Sequence, residues 1–114
     1  MQIEGYVQAL KEDLAAVAAL GDENTARAQH PPHLRAWLCI HHYEGSWTDS
    51  GAPYYGGLQM DLGFQRRYGG RLLRTKGTAD HWLPLEQIWV AERAHGSGRG
   101  FHPWPNTARS CGLI

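Results

Sequence analysis

Ile3, Val7, Leu10, Leu14 and Val17 recur at intervals of four, three, four and three residues, while Glu4, Lys11, Glu12 and Asp13 fall off that line. Side chains three and four apart share one face of a helix, so the spacing predicts an amphipathic helix over residues 2–20. Gly21-Asp22 ends it, and the polar stretch 22–30 running into Pro31-Pro32 reads as a linker. Residues 1–32 are then an N-terminal helix and linker, and residues 33–114 the body of the domain. The apolar stripe is expected to dock on that body, with self-association or a partner helix as the alternative.

Beyond the prolines, Leu34, Trp37, Leu38 and His41 keep helical spacing from His33 to Glu44, and Gly45 stands where a left-handed cap would end that helix. Residues 45–60 are dense in Gly, Ser, Asp and Pro around Tyr54-Tyr55 and predict a loop followed by a small hairpin or tight turn. Asp61 is placed to cap a helix running to Tyr68, which Gly69-Gly70 should break. Pro84 opens a further helix through Leu85, Ile88 and Trp89 toward His95, and the tail from Phe101 reads as irregular. The pattern is that of a mostly α chain of the α+β class, with four helical segments around one Gly- and Tyr-rich loop.

Composition narrows the partners. Eleven Lys and Arg balance eleven Asp and Glu, which removes the basic footprint of a nucleic-acid binder. The longest apolar runs fall well short of the roughly 18 residues a spanning helix needs, so no membrane insertion is expected. Five Trp and five Tyr against two Phe favour surfaces that meet sugars, peptides or interfaces, because these rings join an apolar face to a polar tip. The N-terminus lacks the basic segment and apolar core of a secretory signal.

Three residue types invite chemistry. The seven histidines, at 30, 33, 41, 42, 81, 95 and 102, contain no HExxH pattern. Neighbours such as His41-His42 point about 100° apart on a helix, so neither a metal site nor a cofactor is expected. Cys39 and Cys111 are the only cysteines and flank most of the domain. A disulfide accounts for both; two buried thiols are the alternative, and a Cys39 nucleophile beside His41 and His42 is a third reading. Glu44 would sit at the C-terminal end of its helix, where the dipole disfavours a negative charge, with Tyr43, Trp47, Tyr54 and Tyr55 near enough in sequence to desolvate it. Both effects raise its pKa, as general-acid cleavage of a glycosidic bond requires, although a Glu at a helix end is more often a solvated surface group.

Trp37-x-Cys39, Glu44, Trp47, Tyr54-Tyr55-Gly56-Gly57-Leu58-Gln59, Glu86-Gln87-Ile88-x-Val90-Ala91-Glu92-Arg93, Pro103-Trp104-Pro105 and Cys111 stand in the order seen in resuscitation-promoting-factor domains. Residues 34–114 thus resemble these transglycosylase-like relatives of lysozyme, which act on bacterial peptidoglycan. The sequence departs from the family in that Ile40-His41-His42-Tyr43 separate Cys39 from Glu44, where the family has the Glu directly after the Cys.

The resemblance implies a small lysozyme-like fold, a few helices around a short β-hairpin with a saccharide cleft between them, at the cell wall or outside the cell. It makes Glu44 the catalytic acid and Gln59 a hydrogen-bond partner of the sugar. Tyr54, Tyr55 and Gly57 would shape the hairpin wall, Trp47 and Trp104 would offer stacking surfaces, and Cys39 and Cys111 would form the family's disulfide. Trp104 between prolines also reads as a plug for the tail. A hydrolase needs a second carboxylate, for which Asp49 is the local candidate. A lytic transglycosylase needs only one, because the sugar's own 6-hydroxyl attacks, and is the favoured reading over a muramidase. A catalytically weak peptidoglycan-binding module, or an assembly domain using the N-terminal stripe, are the rivals from other classes.

Overall fold

The structure, a computed structural model, describes residues 29–114. The expected helix over 2–20 and nearly all of the linker lie outside the described residues.

Helix α1, Leu34–Glu44, buries Trp37, Leu38, Cys39 and Ile40. Its first turn lacks a side-chain cap of its own, and a distant group supplies one: Glu92 Oε2 accepts the backbone N–H of His33 at 2.8 Å. Gly45 ends the helix as expected, but with φ 152° and ψ −173° rather than in the left-handed helical region. That conformation is open essentially to glycine alone, so the residue type is still dictated by the backbone.

The loop after α1 contains one antiparallel bridge, between Tyr55 and Met60, made by two backbone hydrogen bonds of 3.0 and 2.9 Å. Of the two options read from the sequence, the tight turn forms, and no paired strands flank it among the described residues. Helix α2, Leu62–Lys76, starts as expected on Asp61, whose Oδ1 accepts the Phe64 N–H at 2.7 Å. It does not stop at Tyr68. The backbone kinks at Gly69 (φ −135°, ψ 32°) and resumes to Lys76. A Cβ on Gly69 would lie 2.8 Å from Trp82 Cη2 and 2.9 Å from Val90 Cγ2, so this glycine serves the close approach of α2 to its neighbours rather than a break.

Helix α3, Pro84–Ala94, follows a short 3₁₀ turn over Ala79–His81, and Glu86 Oε1 accepts the Leu83 N–H at 2.8 Å at its start. A single π-helical turn, His95–Arg99, extends it. The tail, read as irregular, contains helix α4, Pro105–Ser110, with Pro105 at its first turn. Six residues carry too little periodicity to betray a helix in a sequence, and packing of α4 on α1 supplies what local propensity does not.

The core lies between α1, the turn and α3. Ile40, Leu58 and Ile88 are fully buried, each contributing roughly 1.5–3 kcal/mol by leaving water. Trp37 and Trp104 meet edge to face at 5.0 Å, and Trp104 Nε1 donates to Leu58 O at 2.7 Å, so the tail plugs the core while fixing the turn. Cys39 and Cys111 form a disulfide that joins α1 to the residue after α4. No helix among the described residues is long and apolar enough to cross a membrane.

Candidate functional site

The turn is irregular backbone in the middle of the domain, so its polar groups need partners from elsewhere. Two buried glutamines provide them. Gln87 Oε1 accepts the Gly57 N–H at 2.8 Å, and its Nε2 donates to Trp47 O and to Trp82 O, each at 3.0 Å. Gln65 Nε2 donates to Met60 O at 2.8 Å while its Oε1 accepts the Ala79 N–H at 2.9 Å. Sequence reading gave neither glutamine a role. The available signal was an amide within a buried stripe, with Gln87, Ala91 and Ala94 on one face of α3.

His41 completes the support. Its Nδ1–H donates to Gly57 O at 3.0 Å, and its ring stacks on Trp47 at 3.8 Å and 18°. Burial lowers the pKa of this imidazole, against the opposing pull of its hydrogen bond to Gly57. The two glycines of the turn are forced by this packing. A Cβ on Gly56 would fall 2.4 Å from Gln87 Oε1, and one on Gly57 2.4 Å from Trp47 Cε3 and 2.6 Å from His41 Nδ1. Gly57→Ala is therefore expected to lower stability by about 1–3 kcal/mol through overpacking. Gly96→Ala, where a Cβ would meet nothing within 4 Å, should stay within about 0.5 kcal/mol of wild type. Equal denaturation midpoints for the two variants would disprove the packing argument.

Gln59 ends the turn with φ 48°, the one non-glycine among the described residues in the left-handed region. Such a backbone costs on the order of 1 kcal/mol or more and persists only where neighbours over-determine it. Here Gln59 Nε2 donates to Asp49 Oδ2 at 2.8 Å and to Gly56 O at 2.9 Å. Both amide hydrogens are thereby used, leaving Oε1 as the atom able to accept from a ligand. Asp49 is itself fastened twice, since its Oδ1 accepts the Gly51 N–H at 2.9 Å.

Glu44, the last residue of α1, lines a cleft of about 270 Å³ together with Tyr54, Gln59, Pro103, Trp104 and Thr107. It is the only carboxylate lining that cleft among the described residues. Thr107 Oγ1, from α4, donates to Glu44 Oε1 at 3.2 Å. Desolvation nonetheless dominates and pushes the Glu44 carboxyl above the ordinary carboxylate range, the Thr107 hydrogen bond pulling the other way. The arrangement is a half-buried acid, able to hold a proton, in one cleft with a fixed amide.

Glu44, Gln59, Tyr54 and Trp104 are thus brought together, with Tyr54 half exposed and Trp104 forming floor rather than free face. Tyr55 packs against the core, and Trp47 spends one ring face on His41. Gly57 is buried behind the turn, and Asp49 supports Gln59 from outside the cleft lining. Thr107 went unread, because a threonine in a tail offers no pattern.

The histidines converge in one place the sequence did not suggest. Donor atoms of His33, Glu92 and His95 all lie within 4.8 Å of one another. Glu92 and His95 are three apart across the end of α3 and so share a face. Glu92 Oε1 lies 2.7 Å from His33 Nδ1, and the two imidazoles lie ring to ring at 4.1 Å. Two imidazoles and a carboxylate are a donor set a divalent ion accepts. Here they tie the start of α1 to the end of α3.

No family model, curated protein or solved structure matches this chain.

Proposed function

We propose that residues 34–114 form a lysozyme-like domain that cleaves the β-1,4 bond between N-acetylmuramic acid and N-acetylglucosamine in peptidoglycan, as a lytic transglycosylase. The observation that carries this reading is Glu44. It is a carboxyl with a raised pKa and, among the described residues, the only acid in a cleft that it shares with a glutamine of strained backbone and anchored amide nitrogen. The order of motifs resembling resuscitation-promoting-factor domains supplies the substrate class.

In this mechanism the protonated Glu44 carboxyl donates to the glycosidic oxygen as the bond to the muramic C1 breaks. The 6-hydroxyl of the same sugar then attacks C1, and the Glu44 carboxylate takes the hydroxyl proton, returning to its starting state. A 1,6-anhydro sugar and a free 4-hydroxyl result, and no water is consumed. Gln59 Oε1 would accept a sugar hydroxyl, and the half-exposed Tyr54 ring, above a floor formed by Trp104, would supply the apolar surface on which a sugar ring rests.

A retaining or inverting hydrolase would require a second carboxylate at a defined distance from the acid. Asp49 has both oxygens engaged by Gly51 and Gln59 and does not line the cleft beside Glu44, which favours the single-carboxylate route. Digestion of purified peptidoglycan with mass analysis tests the choice. Fragments lighter by one water than reducing-end muropeptides are expected. Reducing ends would make the enzyme a muramidase, and a folded protein that releases nothing would remove the enzymatic reading.

A further inference from the structure

The cleft beside Glu44 continues past Gln59. Tyr54, Gln59, Pro103 and Trp104 also line an adjoining hollow of about 240 Å³, so the two are one groove with a shared middle. The lining changes in kind along it. Where the first end has Glu44 and Thr107, the second has Arg67, Arg99 and Tyr68.

Both guanidinium groups are exposed and lie near ring faces. Arg67 lies 5.5 Å from the Tyr68 ring centroid, and Arg99 lies 5.9 Å from that of Phe64. Neither is in an ion pair among the described residues, where the pairs are His33–Glu92, Lys76–Glu86 and His81–Asp80. The Tyr68 hydroxyl hydrogen-bonds Ser97 Oγ at 3.4 Å, and this contact, followed by one from Arg99, lowers the phenol's pKa. Asp61 also lines this end, with its Oδ1 committed to the Phe64 N–H that starts α2. Two positive charges therefore outweigh one carboxylate there, beside a phenol able to hydrogen-bond. A planar guanidinium recognises a carboxylate through paired N–H donors.

We propose that Arg67, Arg99 and Tyr68 form a carboxylate subsite, so that the groove takes an anionic glycan in preference to a neutral one. The inference rests on the peptidoglycan reading above and refines its substrate. In peptidoglycan the carboxylate comes from one of two sources: the lactyl ether of a muramic acid stripped of its peptide, or the peptide stem where the lactyl group is amide-linked.

Three glycans of equal length separate these cases: a peptide-bearing muropeptide, a glycan stripped of peptides by an amidase, and a neutral chito-oligosaccharide. Affinities are measured calorimetrically on the whole 114-residue chain carrying Glu44→Gln, which prevents turnover, with and without Arg67→Gln/Arg99→Gln. The double substitution is expected to weaken binding of one or both anionic glycans roughly 3- to 30-fold, as two exposed charge contacts would. Chito-oligosaccharide binding should be unchanged. Loss confined to the stripped glycan assigns the lactyl carboxylate, and loss confined to the muropeptide assigns the stem. A salt titration of Glu44→Gln with its arginines intact should weaken only the anionic ligands, and it needs no change at the subsite.

Unchanged affinity of the arginine variant for all three glycans would overturn the subsite and leave the cleavage reading standing. An equal loss on the neutral glycan would also overturn it, as general damage to the groove. If Glu44→Gln with intact arginines binds none of the three, the peptidoglycan reading fails and the subsite with it.

Discussion

Glu44→Gln is expected to reduce the release of muropeptides from peptidoglycan by at least about 100-fold, since a positioned general acid contributes on the order of 10²–10⁴ in rate. The amide keeps the shape of the side chain and its contact with Thr107 Oγ1, 3.2 Å away in wild type, but has no proton to give at neutral pH. Folding should not suffer. A half-buried carboxyl whose pKa is raised by desolvation favours the protonated form in the folded state, so the folded chain binds more protons than the unfolded one. Its contribution to stability therefore falls as pH rises from the ordinary carboxylate value through the raised one. The neutral amide removes that loss, and the variant should be as stable as wild type or more so at pH 7. Activity follows the same proton: wild-type rate should drop as pH climbs through the raised Glu44 pKa. Retention of more than a tenth of wild-type release by a folded Glu44→Gln would remove Glu44 from the chemistry.

Among the described residues, the helix ends marked by a capping or terminating residue were legible in the sequence. Gly45 at the end of α1, Asp61 at the start of α2 and Pro84 at the start of α3 stand where local chemistry put them. Gly69-Gly70 misled because a glycine pair weakens a helix on its own, whereas here Trp82 and Val90 pack so closely on Gly69 that tertiary contact carries α2 through a kink. The helix over 105–110 was illegible for the opposite reason, having no stripe and depending on α1.

The site divides along the same line. That Glu44 and Gln59 come to one cleft was readable because their neighbours, a helix end and a Gly-rich turn, are local features. What fixes them is not local. Gln87 reaches Gly57 across 30 positions, Thr107 reaches Glu44 across 63, and Glu92 caps α1 across 59. No residue in these pairs carries a mark of its partner in sequence. Arg67 and Arg99 belong to the same group, two unremarkable surface cations until one groove contains both.

The joint replacement Cys39→Ala/Cys111→Ala carries the largest expected effect on stability. The bond closes a loop across 72 positions, and the loop-closure entropy it removes from the unfolded chain is worth about 4 kcal/mol. A domain of this size has a total stability of roughly 5–15 kcal/mol, so the loss is a large share of it. The melting temperature should fall on the order of 15–30 °C, and reduction of wild type under mild denaturation should match the double variant. The site should feel the loss as well. Cys111 follows the helix that bears Thr107, and Cys39 lies in the helix that ends at Glu44, so the bond ties the two sides of the Glu44–Thr107 contact. With the chain still folded at low temperature, the variant should lose muropeptide release ahead of secondary structure as it is warmed. A melting temperature unmoved by both substitution and reduction would mean that α1 and α4 are held by their core contacts alone, Trp104 on Trp37 among them.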